Sequence, residues 1–433
     1  MRPAPPLLWA VFAWACLGVL ASARLVPAWS WSIAGAALGL VFVVDAWRLR
    51  RRAMPDVARR LPDALPLGVE RDVELQIDAG AAALRLDVHD LHPGAWPANG
   101  LPRTLDIARD TSATFAYTLK PIERGDHAFE GVHLRLHSPW RLWRRFVVAG
   151  APRSVRVFPN FAPLTKLALL SAEQASRLVG AHLKRRRGEG TDFHQMRDYR
   201  VGDSLRSVDW KATARMRRLI SREYQDERNQ QLIVVMDTGR RMLARDGEFT
   251  HFDRVLDAAL VVSYVALRQG DAVGLLASGG DQRIVAPQRG LGAIDTLLQA
   301  TYDLQPRPVA TDYLAAASEL ALRQARRGLV MIATNIRDED IDDLLGAVRM
   351  LQKRHRVVVA SLREEALDAA VDDAGDDLPA ALRAASAARY LEQRAAAHDA
   401  LRTHRVQVLD VTCAQLPGAL VERYLAIKRD GSL

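Results

Sequence analysis

The densest run of chemically capable side chains holds Arg197, Asp203, Arg206, Asp209, Lys211 and Arg215 in one short stretch. An aspartate and a lysine so placed are candidates for general acid and base. The favoured reading is structural: a network of ion pairs and hydrogen bonds joining two domains, with Phe193, Tyr199 and Trp210 packed against it. A docking surface for a partner lies between these extremes, and the two structural roles can coexist. Other chemistry is sparse. Gly188 and Gly190 are too few to cradle a phosphate, and no Gly-x-x-x-x-Gly-Lys-Ser/Thr pattern occurs, so the chain is not expected to hydrolyse ATP. His133 and His137 fall in a strand region, where a spacing of four does not build the helical zinc motif, and His251 has no partner at ligand spacing. Cys16 and Cys413 offer neither a disulfide framework nor a Cys-rich zinc site. No Gly-x-Ser-x-Gly elbow is present, and Ser278-Gly279-Gly280 reads as a turn. The expectation is a protein that is not an enzyme.

The elements that must position these residues fall into distinct patterns. From Gln231 onward, continuous apolar runs alternate with helical segments. The runs are Leu232–Met236, Ala272–Ala277, Leu329–Ala333, Val357–Ala360 and Val406–Leu409. Helices are expected at Arg254–Gln269 and near Leu291–Tyr302, Asp312–Arg326, Asp340–Lys353 and Leu378–Arg402. The acidic stretch Asp368–Asp377 reads as a surface excursion. This grammar predicts a doubly wound α/β domain over 231–433 with a mainly parallel sheet. Ligands meet such sheets at the carboxyl ends of the strands, where Asp237 and Asn335 stand.

Upstream, 61–160 carries short alternating runs: Val73–Ile77, Ala83–Val88, Ala113–Leu119, Val132–Leu136 and Val155–Phe158. Turn formers such as Arg124-Gly125-Asp126 separate them, which predicts a β-sandwich-like domain. Residues 161–230 form a charged connector.

Residues 1–60 hold two apolar stretches, Leu7 to Val26 and Trp29 to Trp47, each close to the ~20 residues of a membrane-spanning helix. Trp9, Trp29, Trp31 and Trp47 stand at their ends, as interfacial rings do. Residues 48–60 then carry six arginines against one acid, Asp56, so more than half of the net charge of +9 sits beside the second stretch. Charge so placed reads as topology, with the soluble part in the cytoplasm, and no nucleic-acid partner is expected. The basic run Lys184-Arg185-Arg186-Arg187 reads as a solvated loop, with nucleic acid or the anionic inner membrane surface as alternatives. A cleaved signal peptide ending near Ala21-Ser22-Ala23 is the competing reading of the first stretch.

The stretch Gly188-Glu189-Gly190-Thr191-Asp192-Phe193-His194-Gln195-Met196-Arg197-Asp198-Tyr199-Arg200-Val201-Gly202-Asp203 continues through Arg206, Asp209-Trp210-Lys211, Ala214-Arg215 and Arg222-Glu223. Together with Asp237-Thr238-Gly239-Arg240-Arg241-Met242, Glu123-Arg124-Gly125, Ser138-Pro139-Trp140 and Val157-Phe158-Pro159, it resembles the bacterial family called domain of unknown function 58. The resemblance implies a membrane-anchored chain ending in a von Willebrand factor A-like domain. It also implies association with MoxR-type AAA+ ATPases, in an assembly or chaperone-like role at the inner membrane.

Von Willebrand factor A domains hold a divalent metal with an Asp-x-Ser-x-Ser loop, a Thr and a later Asp. On that pattern Asp237 supplies the first carboxylate, Gly239 and Arg241 occupy the Ser positions, Thr311 is the Thr, and Asn335 replaces the Asp. One carboxylate, one hydroxyl and one neutral amide suit magnesium poorly, since it prefers near-octahedral oxygen ligation. No cofactor is therefore expected, and an arginine paired with Asp237 would stand in for the metal. The rival readings are a metal-dependent protein-binding module, an enzyme built on the charged signature, and a nucleic-acid binder.

Overall fold

The computed structural model describes residues 1–163, 192–200, 207–225, 230–372 and 377–430. The chain divides into two compact units, Met1–Phe158 and Pro159–Leu433.

The first unit opens with a helical hairpin, α1 (Pro5–Ser22) and α2 (Ala28–Arg51). Both helices are long and apolar enough to cross a membrane, and only 6% and 11% of their apolar windows are buried. A core helix of a soluble domain would hide such a surface. The hairpin closes through Trp14 and Trp31, stacked with centroids 5.0 Å apart. Gly18 and Gly35 make room for those rings: a Cβ at either would stand within 3 Å of an indole nitrogen.

The β-rich remainder forms three sheets rather than two continuous ones. In the five-stranded sheet the order is Arg2–Pro3, Trp143–Ala149, Val132–His137, Leu84–Asp90, Arg103–Ile107. The four-stranded one holds Asp56–Arg60, Arg71–Asp78, Ser112–Leu119 and Ala98–Asn99. A three-stranded sheet holds Ala64–Pro66, Arg153–Phe158 and Gly125–Phe129. Alternation decides which side chains go in: Val73, Leu75 and Ile77 are fully buried, whereas their neighbours in sequence are not.

Two expectations need correcting here. Residues 48–60 are not one basic flank. Asp56–Arg60 is already a strand, and Arg59 turns inward to pair with the buried Asp90, which also accepts a hydrogen bond from the Tyr117 hydroxyl. The Arg124-Gly125-Asp126 turn is likewise the start of a strand, with Gly125 at φ +109° supplying the bend. The hairpin and the sheets share contacts. Arg2 and Pro3 pair with Arg144 and Trp143, the Ala4 N–H donates to Leu142 O at 2.8 Å, and the Trp143 indole donates to Phe42 O at 3.1 Å.

In the second unit six strands form one sheet: β1 (Gln231–Asp237), β2 (Ala272–Ser278), β3 (Arg283–Gln288), β4 (Leu329–Thr334), β5 (Arg356–Arg363) and β6 (Gln407–Thr412). Their order is β3-β2-β1-β4-β5-β6, parallel throughout except for β3 at one edge. Helices cover both faces, so β1 is apolar at every position from Leu232 to Met236. Leu232, Val234 and Met236 join the core under His251–Arg268 and Leu416–Arg429, while Ile233 and Val235 join the core under Tyr313–Arg323 and Ile341–Gln352. His251–Arg268 starts on a reciprocal cap: the Asp253 N–H donates to Thr250 Oγ1, and the Thr250 N–H donates to Asp253 Oδ2. The first part of the acidic stretch Asp368–Asp377 belongs to a helix, Glu365–Asp372, and 373–376 lie outside the described residues.

Candidate functional site

Asp237 ends the central strand and is 2% exposed. Its Oδ1 accepts from the Gly239 N–H at 2.7 Å and from the Thr311 hydroxyl. Its Oδ2 accepts from Thr334 Oγ1 at 2.7 Å and from the Tyr313 hydroxyl at 3.1 Å. Burial, reinforced by the Asp237 charge, raises the Tyr313 phenol well above its ordinary pKa, so it stays protonated as a donor. The neighbouring loops are stitched to one another. The Thr238 N–H donates to Ser278 O at 2.8 Å, the Gly280 N–H donates to Thr238 Oγ1 at 2.9 Å, and the Arg240 N–H donates to Val309 O at 2.8 Å.

This arrangement does not fit a divalent metal. Both oxygens of the one carboxylate are occupied by hydrogen-bond donors. The space a serine would need at 239 is filled, since a Cβ there would lie 2.2 Å from Thr311 Oγ1 and 2.8 Å from Val309 O. Gly279, at φ +124°, packs against Gly239 in turn. Among the described residues no group of three His, Cys, Asp or Glu could hold a metal ion.

Arg241 does not replace the metal either, which corrects the expected pairing with Asp237. Its Nε donates to Asp340 Oδ2 at 3.1 Å and its guanidinium pairs with Glu339. Four neutral donors already serve Asp237, so no charge partner is required there. Gly239→Ser combined with Arg241→Ser is expected to lower the unfolding temperature and to give no magnesium-dependent rise in it. A magnesium-dependent rise would overturn this account of the loop.

Asn335 is not brought to Asp237 and Thr311. It belongs to a second buried cluster beneath Leu378–Thr403. There the Asn335 amide donates to Glu364 Oε1 at 2.9 Å and its Oδ1 accepts from Arg394 Nη1 at 2.9 Å. Arg394, 2% exposed, also donates to Ser361 Oγ at 2.6 Å, Ile336 O at 3.3 Å and Asp410 Oδ1 at 3.0 Å. Beside it lies His398, buried, with Nδ1 3.8 Å from Asp410 Oδ2.

Burial, reinforced by the Arg394 charge, pushes the His398 imidazole down to about 4. His251 is lowered in the same sense, again mainly by burial. The unfolded chain therefore binds more protons than the folded one between the free histidine value of about 6.5 and about 4, and stability falls as pH falls through that window. Hydrogen exchange of the β1 amides at pH 7.5 and 5 is expected to show this loss, on the order of 1–3 kcal/mol. His398→Gln should reduce the slope; an unchanged slope would exclude His398 as a source.

In the charged signature, Asp192–Asp198 pairs antiparallel with Ile220–Gln225, and Trp210–Met216 is a short helix between them. Phe193 lies opposite Tyr224 in that ladder. Gly202, Asp203 and Arg206 lie outside the described residues, as does Lys184-Arg185-Arg186-Arg187. Asp209 is the helix N-cap, its Oδ1 accepting from the Ala212 N–H at 2.9 Å. Arg197 donates to Asp198 O at 3.1 Å, Tyr199 is half-buried, and Lys211 and Arg215 are exposed. Trp210 corrects an expectation. It is 66% exposed rather than packed, because the helix meets the Ile220–Gln225 strand through Asp209 and through Thr213, whose hydroxyl accepts from the Ile220 N–H at 3.0 Å.

Several site residues carry little signal in the sequence. Thr334 closes the β4 strand and Tyr313 opens the Tyr313–Arg323 helix, each at the margin of an otherwise plain pattern. Arg394 falls on a heptad-spaced buried stripe with Ala380, Ala387 and Leu401, and that spacing is the cue that could have found it.

A profile of the family described as "Protein of unknown function DUF58" matches residues 195–403. The chain is 24% identical over 187 residues to the uncharacterized protein YeaD of Bacillus subtilis (strain 168), covering 41% of this chain and 42% of that one. It is 26% identical over 208 residues to the uncharacterized protein Rv1480 of Mycobacterium tuberculosis (strain ATCC 25618 / H37Rv), covering 46% and 63%. The matches thus span about two fifths to three fifths of these relatives' lengths. Among solved structures, an aerotolerance-related membrane protein from Bacteroides fragilis aligns at 18% identity and a TM-score of 0.23, over 30% of this chain and 67% of that one. Proximal thread matrix protein 1 from the mussel byssus aligns at 11% identity and a TM-score of 0.28, over 44% and 45%.

Proposed function

We propose that this protein is a membrane-anchored scaffold whose second unit, a von Willebrand factor A-like domain, recruits a MoxR-type AAA+ ATPase on the cytoplasmic side for protein assembly or maturation. The observation that carries a binding rather than a chemical role is the closed shell of donors around Asp237. The sheet edge where an α/β domain meets its ligand holds a sealed carboxylate, rimmed by exposed charges such as Arg240 and Glu339. The sheet order with one antiparallel edge strand supports the von Willebrand factor A-like reading.

Anchorage is supported by the exposed apolar hairpin, and the cytoplasmic side by the arginines that follow it. Retention of α1 is supported by the Arg2–Pro3 strand, which a cleavage near Ala23 would strip from the β-rich domain. The strand also brings both ends of the hairpin to the side of that domain. Trp210 marks the contact surface, because exposed tryptophans are the residue type that most often dominates interface energies. With a purified MoxR-type ATPase, Trp210→Ala is expected to weaken binding at least about tenfold, on the order of 1–2 kcal/mol, with β1 exchange unchanged. Equal binding by both proteins would remove the signature from the interface.

A further inference from the structure

Several arginines of the first unit that form no ion pair among the described residues gather at the exit of α2. Arg48 and Arg51 lie in its last turn and Arg52 follows as the C-cap residue. Arg51 stacks over the Trp47 ring at 4.3 Å, and Arg48 stacks over the Trp140 ring at 5.1 Å. Between α2 and the β-rich domain lies a cavity of about 480 Å³ lined by Trp47, Arg48, Arg51 and Arg52. A second, of about 440 Å³, shares Arg52, Leu84 and Pro139 with it and adds Arg141. None of Arg48, Arg51, Arg52 and Arg141 is within ion-pair distance of a carboxylate among the described residues.

The carboxylates near this place offset only part of that charge. Asp45 is fully buried, accepts from the Trp140 N–H at 3.2 Å and attracts Arg52 from beyond ion-pair distance, and Asp106 faces Arg85 at 3.5 Å. The cavities therefore keep a net positive charge directly beneath the apolar surface of α2, where Trp47 is 53% exposed. Guanidinium groups held by stacking on indoles are preorganised to fork onto phosphate oxygens, and tryptophan is the side chain that settles at headgroup depth.

We propose that this cradle binds the phosphate headgroup of an anionic phospholipid from the leaflet facing the β-rich domain, an inference that rests on the membrane-anchor reading. Juxtamembrane arginines gain about 1 kcal/mol each near an anionic surface, so two of them account for about a tenfold to thirtyfold preference over a zwitterionic lipid.

The test uses the detergent-solubilised full chain, titrated with short-chain phosphatidylglycerol, short-chain phosphatidylcholine or inorganic phosphate and read by native mass spectrometry. The expected result is that preference for phosphatidylglycerol, lost in Arg51→Gln/Arg52→Gln and reduced in Arg141→Gln, and kept in Arg71→Gln, at the far end of the Arg71–Asp78 strand from the cavity-lining Ala79. Hydrogen exchange of Val73–Ile77 confirms that each variant is folded. Equal affinity for the two lipids, or a preference that survives the double substitution, would overturn the proposal. Phosphate binding as tight as phosphatidylglycerol would overturn the lipid as its source. Carbonate extraction of the native membranes separates the premises: release of the chain sinks the anchor and the cradle together, whereas retention without lipid preference sinks the cradle alone.

Discussion

Asp237→Ala is expected to cost the second unit about 3–5 kcal/mol, because it orphans several buried neutral donors at once. The substitution removes the acceptor shared by Thr311, Thr334, Tyr313 and the Gly239 N–H, all within hydrogen-bond distance. Those donors are packed under the loops that join β1, β2 and Thr311, so water cannot readily replace the carboxylate, and each orphaned group carries a desolvation penalty of about 1–3 kcal/mol. Asp237→Asn keeps the shape but turns one acceptor into a donor that faces other donors, so it too should be strongly destabilising. Hydrogen exchange of Leu232–Met236 reads the effect locally. If the residue were instead a metal ligand, the loss would appear only with magnesium present, and this account predicts the same loss with and without it.

The second large effect is expected at Arg394. Arg394→Met preserves much of the stem volume but leaves Asp410, Ser361 Oγ, Ile336 O and Asn335 Oδ1 without their shared donor. A loss of about 3–5 kcal/mol follows, and Arg394→Lys should restore little of it because one ammonium cannot span a fork of acceptors. Asp410→Asn in the Arg394→Met background should cost less than in the wild type, since the carboxylate it removes is by then unpaired. Fully additive losses in that double-mutant cycle would show that the two residues do not act as one cluster.

How much of this was legible depends on how each element is buried. A strand covered on both faces, such as β1, announces itself as an unbroken apolar run, and the alternating strands around Val73–Ile77 and Val132–Leu136 are as plain. The β3 strand is not: at an edge, antiparallel, half-exposed and with Pro287 near its end, it has no pattern to read. Leu416–Arg429 hides for a different reason. Pro417 and Gly418 resemble a turn, although proline is well tolerated in the first turn of a helix.

The site shows the same division. Asp237 and Thr311 are placed together as the resemblance implied, and Asn335 is not, because strand ends that are neighbours in a sheet can still point their side chains at different helices. Arg241 was read by charge alone, whereas in the fold Asp340 and Glu339 lie closer to hand than the sealed Asp237. Contacts between residues far apart in the chain, such as Thr334 with Asp237 across 97 positions or Arg394 with Asn335 across 59, leave no mark in a single sequence.

The most direct test of the adaptor reading is affinity capture of the tagged full-length chain from native membranes, with ATP and magnesium, read by quantitative mass spectrometry. This account predicts recovery of a MoxR-type ATPase in amounts comparable to the bait, and its loss with Trp210→Ala while Asp237 and β1 remain protected from exchange. Capture under mild detergent and crosslinking that yields no such ATPase would contradict it.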